Sequence, residues 1–356
     1  MDGWISGAIV MMLVVSAWWL FFAGRHRFVF QGAPALPTEE RNGTVRSTVA
    51  FRAVDGTDIE GWLFTPVVPK RPVILMAPGL TGTKEGLLEV FAARFVEAGF
   101  AVLLMDFRTF GGSGGEPRHW LDPVRQIEDY QSAIEFLRTQ GRVDGSRIVL
   151  WGSSFSGSAS ICAAARDGEI AAVIAQVPYL GGVPVHPPGA LQIVGYVALS
   201  IGERIGDAIA QLLGVTLPHV YITTYGMPGE RAFAMSKDNP SRYEPTRDLH
   251  PFWASMPKQV RGGWVNRMLV RGLQNLDRVS AKDELAKVGC PVLLVGASED
   301  DMIAIDVIRA AASQLAAARS RFLQLDCGHY DPYVAPLFET NIRAQIEFLQ
   351  DVVGPG

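Results

Sequence analysis

From Ser47 onward, short apolar runs alternate with amphipathic stretches, and this rhythm constrains the fold more than any other feature of the sequence. Thr48–Arg52 and Ile59–Thr65 read as a hairpin around Asp55-Gly56. Strands are expected at Val73–Ala77, Ala101–Met105, Arg147–Trp151 and Ala171–Ala175. Helices are expected at Leu87–Ala98, Pro123–Gln140 and Phe155–Arg166, with Asp122 as the N-cap before Pro123. The pattern resumes with a strand at Pro291–Gly296, a helix at Ile305–Ala318, a strand at Arg321–Leu325 and a closing helix at Tyr333–Gln350. Apolar strands alternating with helices imply a mostly parallel central sheet with helices on both faces. In such sheets the reactive groups lie in the turns after the strands.

Residues 181–280 break this rhythm. They are rich in Gly, Pro, Trp and Tyr, with one helix expected near Gln192–Leu213, and read as a cap inserted between core segments 47–180 and 281–356. Residues 28–46 hold Gly32, Pro34 and Pro37 without periodicity and read as a linker. Residues 1–27 are of another kind. Trp4–Ala23 carries no charge. Twenty residues at about 1.5 Å each span roughly 30 Å, the hydrocarbon thickness of a bilayer. Trp18 and Trp19 lie near one end, and Arg25, His26 and Arg27 follow. A cleaved signal peptide would carry positive charge before the run and small residues at the cleavage site, whereas Asp2 and Phe21-Phe22-Ala23 stand there. A retained single-pass transmembrane anchor is expected, with the following domain on the cytoplasmic side.

About half the residues are apolar, enough for a sizeable core. The net charge is −4, and no basic run offers a footprint for nucleic acid. Cys162, Cys290 and Cys327 lie far apart, with no metal-binding spacing, so reduced thiols are expected and neither metal nor cofactor.

The strand Arg147–Trp151 runs into Gly152-Ser153-Ser154-Phe155-Ser156-Gly157 and then a small-residue helix. A strand–turn–helix of this kind is the setting of a nucleophile elbow, whose tight turn needs small flanking residues. Gly152 and Ser156 flank Ser154, which makes Ser154 the candidate nucleophile ahead of Ser153 and Ser156. The alternative is a serine that only caps the helix.

A serine hydroxyl needs a base to take its proton. Of the six histidines, His329 alone follows a C-terminal strand, Arg321–Leu325. The acid that orients the imidazole should follow the preceding strand, where Glu299, Asp300 and Asp301 are adjacent. Asp300 is preferred, then Asp301, then Glu299. The backbone N–H groups of Phe155 and Leu80 are the candidate oxyanion donors, each worth about 3 kcal/mol at the transition state. The Gly-rich turn that holds Leu80 lacks the Gly-Lys-Ser/Thr ending of a phosphate loop.

These stretches, APGLTGTKEG, DFRTFGGSGGEPRHW, WGSSFSGS, CPVLLVGASEDD and CGHYDPY, are in the order of one superfamily and cover most of the chain outside the cap. The chain resembles the α/β-hydrolase superfamily, and within it the dienelactone-hydrolase-like and serine-aminopeptidase-like bacterial hydrolases. The resemblance implies a Ser154–Asp300–His329 triad and hydrolysis of an ester, thioester or amide through an acyl-enzyme. It also implies a structural role for the loop of Asp106 and Arg108. Three positions depart from the pattern: Pro78 in place of His, Ala304 in place of Pro, and Ser156 in place of Gly.

A membrane-anchored serine hydrolase of carboxylic esters acting on a small acyl substrate is therefore expected. Two alternatives remain: acyl transfer by the same triad when water is excluded, and a non-catalytic ligand-binding protein on the same fold.

Overall fold

The structure, a computed structural model, describes residues 39–354 except 42–43, 67, 69, 183, 242–248, 257–263 and 316–317. The expected anchor at Trp4–Ala23 lies outside the described residues. Among those described, no helix is long and apolar enough to cross a membrane.

A nine-stranded sheet forms the centre of the described structure. Its strands are β1 (Glu39–Arg41), β2 (Thr44–Arg52), β3 (Asp58–Pro66), β4 (Arg71–Ala77), β5 (Ala101–Met105), β6 (Val143–Ser153), β7 (Ala172–Gln176), β12 (Val292–Ala297) and β13 (Arg321–Leu325). The order across the sheet is β1-β2-β3-β5-β4-β6-β7-β12-β13. β1, β2, β3 and β5 pair antiparallel, and the successive pairings β5-β4-β6-β7-β12-β13 of this sheet are parallel. Strands β5, β7 and β12 are buried along their whole length, as strands covered on both faces must be.

Helices α1 (Leu88–Glu97), α2 (Pro123–Thr139) and α3 (Phe155–Asp167) follow β4, β5 and β6. Asp122 caps α2, its carboxylate accepting the N–H groups of Val124 and Arg125. Between β7 and β12 the chain leaves the sheet. It forms α4 (Ala190–Leu213), the two-residue strands β8 (Tyr221–Ile222), β9 (Tyr225–Gly226) and β10 (Ala234–Met235), the short helix α5 (Pro251–Ala254), and β11 (Met268–Leu269). A 3₁₀ segment at Val270–Arg278 packs against α4. The short helix α6 (Ala281–Leu285) then leads back to β12. An aromatic cluster ties this excursion to the core: Phe252 stacks on Tyr330 at 5.0 Å, and Trp253 lies 4.8 Å from Tyr225.

Three expectations need correction. The stretch read as linker, 28–46, carries β1 and the start of β2, which pair Arg41 with Thr44. The sequence has Asn-Gly at positions 42 and 43, a dipeptide common in hairpins, which reading for periodicity alone overlooks. The helix expected to reach Ala318 is α7 (Ile305–Ala312). Ser313 Oγ donates to the Ala310 carbonyl just past its end, a side-chain bond that competes with helix continuation. The closing helix α8 is Leu337–Val352, not Tyr333–Gln350. Pro336 has no N–H and restricts the residue before it, so Asp331–Tyr333 stands apart as a 3₁₀ turn.

Candidate active site

The register of the sheet brings the loop after β4, the turn after β6 and the loops after β12 and β13 to one edge. At the end of β6, Ser154 has φ +54°, a backbone region that side chains rarely occupy. Two hydrogen bonds hold this conformation. The Ser154 N–H donates to the Gln176 carbonyl (2.8 Å), and the Ser154 carbonyl accepts the Tyr179 N–H (2.9 Å). The turn is so tight that a Cβ on Gly152 would lie 2.3 Å from the Ser156 carbonyl oxygen. Ser154 also begins α3, where the helix N-terminus favours negative charge.

The serine that departs from the elbow pattern has a structural reason to be there. Ser156 is fully buried, and its hydroxyl lies 2.9 Å from the Ala77 carbonyl and 3.0 Å from the Ser153 carbonyl. It accepts the Ser153 N–H at 2.8 Å. The side chain therefore joins the turn after β6 to the end of β4, where the loop of Leu80 begins. Ser153, the other rival for nucleophile, is also fully buried, and its hydroxyl bonds to Tyr333 and the Gln176 carbonyl. Only Ser154 of the three is partly exposed.

His329 Nε2 lies 3.1 Å from Ser154 Oγ, and His329 Nδ1 lies 2.6 Å from Asp300 Oδ2. The imidazole and the Asp300 carboxylate are both buried. The other oxygen of Asp300 accepts the N–H groups of Met302 and Ile303, each at 2.8 Å, which fixes the carboxylate. Asp301 faces the other way. It accepts the Ser236 hydroxyl (2.6 Å) and the Lys237 N–H (2.9 Å), both from the segment between β7 and β12. Glu299 is exposed. The three adjacent carboxylates are thus sorted by where they point, and the imidazole is bonded to Asp300.

The loop of Leu80 runs beside the serine: a Cβ on Gly79 would lie 3.3 Å from Ser154 Cβ. Among the described residues, neither the Leu80 nor the Phe155 N–H donates to another protein group. This loop is anchored from both ends. Lys84, at its far end, is buried, with Nζ 2.6 Å from Asp106 and 2.8 Å from Glu60, and these two carboxylates hold the ammonium well above the usual lysine range. The Asp106 loop is thus a brace for the Leu80 loop. Arg108 stands a little further along, paired with Asp129 (2.5 Å) and Glu128 (2.7 Å). At the near end, the Tyr225 hydroxyl donates to the Leu80 carbonyl. Tyr225 is buried, and Asn266 brackets its backbone, accepting its N–H at 2.8 Å and donating to its carbonyl at 2.9 Å.

No signal in the sequence points to Tyr225, Ser236 or Lys237. Each lies in the excursion outside the sheet rhythm and meets its partner across a long loop. The same holds for His250, whose Nε2 lies 2.9 Å from Asp331, a carboxylate that also accepts the Gly328 N–H beside His329. His119 is half-buried against Phe110 and Tyr221. Desolvation, with the nearby Arg267 and Arg118, lowers its pKa to about 3, so it stays neutral. Among the described residues, no group of three His, Cys, Asp or Glu side chains is placed to hold a metal ion.

The model of the alpha/beta hydrolase family matches residues 74–341. Over 306 residues, 84% of this chain, the sequence is 30% identical to the quorum-quenching protein AidA of Acinetobacter baumannii, covering 93% of that protein. Over 133 residues, 37% of this chain, it is 43% identical to the polyketide transferase ATR5 of Stachybotrys chlorohalonatus, covering 44% of it. Among solved structures, DcsB in complex with its substrate analogue superposes with a TM-score of 0.70 at 26% identity, over 86% of this chain and 99% of that one.

Proposed function

We propose, for a chain that belongs to the alpha/beta hydrolase family, that it cleaves a carboxylic ester or thioester through an acyl-enzyme on Ser154, with His329 as base and Asp300 as acid. One observation carries the reading: Ser154 Oγ, His329 and Asp300 form a continuous hydrogen-bonded series with separations of 3.1 and 2.6 Å.

The chemistry follows from this series. Asp300 keeps the Nδ1 proton of His329 on its own side, which leaves Nε2 to accept the Ser154 proton. As the proton moves, Oγ bonds to the acyl carbon, and the carbonyl oxygen takes up negative charge. The Leu80 and Phe155 N–H groups serve as donors to that charge. On collapse the bond to the leaving oxygen or sulfur breaks, and His329 returns the proton to it. Water then attacks the acyl-enzyme with His329 again as base, releasing the acid and restoring Ser154.

Acyl transfer is a second reading, favoured by the 43% identity to a protein named as a polyketide transferase. An alcohol or amine would then replace water in the last step. The excursion between β7 and β12, taken as a cap at 181–280, would decide how much water reaches the acyl-enzyme. The name of the quorum-quenching relative adds signal molecules bearing an acyl group or lactone to the substrates worth trying. A retained anchor at Trp4–Ala23, with the domain on the cytoplasmic side of the membrane, completes the proposal.

The test is a substrate panel of esters of increasing acyl length, acyl thioesters, lactones and peptide amides, each with and without an added alcohol. Turnover of esters or thioesters by the parent chain and its loss in Ser154→Ala is the expected result. Turnover that survives Ser154→Ala would overturn the reading. Formation of the new ester in preference to the free acid would select transfer over hydrolysis.

A further inference from the structure

Helix α4 (Ala190–Leu213) is docked with its polar side inward. A helix on the surface of a protein in water ordinarily buries its apolar stripe and exposes its charges. Here the buried residues are Ser200, Glu203 and Ala210. Glu203 lies 3.1 Å from Arg271 and 3.1 Å from His219, and Asp207 also pairs with Arg271. The outward side carries Leu191, Val194, Val197, Ile201, Ile205 and Leu212, all exposed, Leu191 by 90% and Leu212 by 84%. Their spacing of three, three, four, four and seven keeps them on one stripe. Val185 before the helix and Val215 after it continue the exposed apolar character. The only exposed charge on the helix is Arg204.

An apolar stripe along a 24-residue helix runs about 36 Å at 1.5 Å per residue, longer than the scattered apolar contacts of an ordinary surface. We propose that this face of α4 rests on the surface of a lipid bilayer, with the helix lying in the plane of the membrane. A helix seated in this way buries its apolar side at the boundary between headgroups and acyl chains, and a cation at its edge meets lipid phosphate. Arg204 is such a cation. The chain preceding the described residues argues for lipid over other occupants. Trp4–Ala23 is an uncharged run of bilayer length, and 15 residues separate it from β1. Fully extended, those residues reach at most about 50 Å, so a domain tethered by that run stays beside the membrane surface. The inference rests on the expected anchor and is independent of the role given to Ser154.

The experiment uses the full chain with a single environment-sensitive fluorophore, placed on Val197→Cys in one preparation and Ile205→Cys in another. Both are exposed positions, so substitution leaves the core intact. The parent chain, whose Cys162 and Cys327 are buried and whose Cys290 is half-buried, gives the background labelling to be subtracted. Each preparation is reconstituted in phosphatidylcholine vesicles with or without spin-labelled lipid. At both positions the emission should shift to the blue in vesicles, and spin-labelled lipid should remove roughly half of it or more, as for a side chain at the acyl boundary. Emission that stays water-like and unquenched would overturn the proposal. A blue shift that grows with protein concentration and is not quenched would assign the face to a second copy of the chain. A blue shift present without lipid and unchanged by it would assign the face to the chain's own apolar run. Either result overturns the proposal, while the substrate panel tests Ser154 separately.

Discussion

The hydroxyl of Tyr225 donates to the carbonyl of Leu80. This bond joins a residue of the excursion between β7 and β12 to the loop that carries the proposed oxyanion donor Leu80. Asn266 fixes the Tyr225 backbone, so the phenol is a rigid strut rather than a loose contact. Tyr225→Phe keeps the ring and removes the strut. The Leu80 carbonyl then loses its partner and the adjacent peptide gains freedom. Loss of a whole oxyanion donor costs about a hundredfold to a thousandfold in kcat. Misplacing one should cost about tenfold, with KM little changed. Steady-state kinetics on the best ester of the panel checks this. An unchanged kcat would mean that the Leu80 loop holds its position without Tyr225.

Asp300 and Asp301 are neighbours in sequence with separate bonding partners. Asp300 bonds to His329, whereas Asp301 bonds to Ser236 and the Lys237 backbone. Asp300→Asn should therefore lower kcat by about ten-thousandfold, as loss of the imidazole-orienting carboxylate does in serine hydrolases. Asp301→Asn should leave kcat within about threefold of the parent and lower the melting temperature, since each lost bond to a carboxylate is worth about 1.5–3 kcal/mol. Kinetics and thermal unfolding of the two variants together separate the roles.

Ser156 occupies the elbow position where glycine is usual, and its hydroxyl is the acceptor for the buried Ser153 N–H. Ser156→Ala removes that acceptor, and Ser156→Gly removes it while restoring the common motif. Leaving a buried N–H unsatisfied costs about 1–3 kcal/mol. Both variants should unfold at a lower temperature than the parent, by calorimetry at fixed pH. A glycine variant as stable as the parent would show that the hydroxyl adds nothing to the elbow.

Burial, reinforced by the nearby carboxylate of Asp106, pushes Glu85 up to about 7. The folded chain therefore holds the Glu85 proton more tightly than the unfolded chain does. By linkage, stability falls as pH rises from the ordinary glutamate range through about 7, and the loss is complete above it. Glu85→Gln cannot ionise and should lack this decline. The difference in melting temperature between variant and parent should grow in favour of the variant from pH 5 to about pH 8. A constant difference across that range would contradict the assignment.

The strand rhythm made the core legible because each buried parallel strand needs an uninterrupted apolar run. The elbow was legible for the same reason: Gly152-Ser153-Ser154 could be placed at the end of a strand. His329 followed from its place after Arg321–Leu325. The choice among Glu299, Asp300 and Asp301 was not decided by sequence, because three adjacent carboxylates differ only in direction. That direction is set by the Met302 and Ile303 N–H groups on one side and by Ser236 on the other. Tyr225 was invisible because its partner is 145 residues away and no periodicity marks it. The polarity of α4 was missed because reading its length and apolar content does not reveal which side faces the protein.

Covalent capture distinguishes Ser154 from any other nucleophile. The purified full chain is treated with a fluorophosphonate, digested, and the modified peptide sequenced by mass spectrometry. One adduct on Ser154, absent in Ser154→Ala and strongly slowed in His329→Ala, is the predicted result. No adduct, or an adduct that persists at another residue in Ser154→Ala, would rule out Ser154 as the nucleophile.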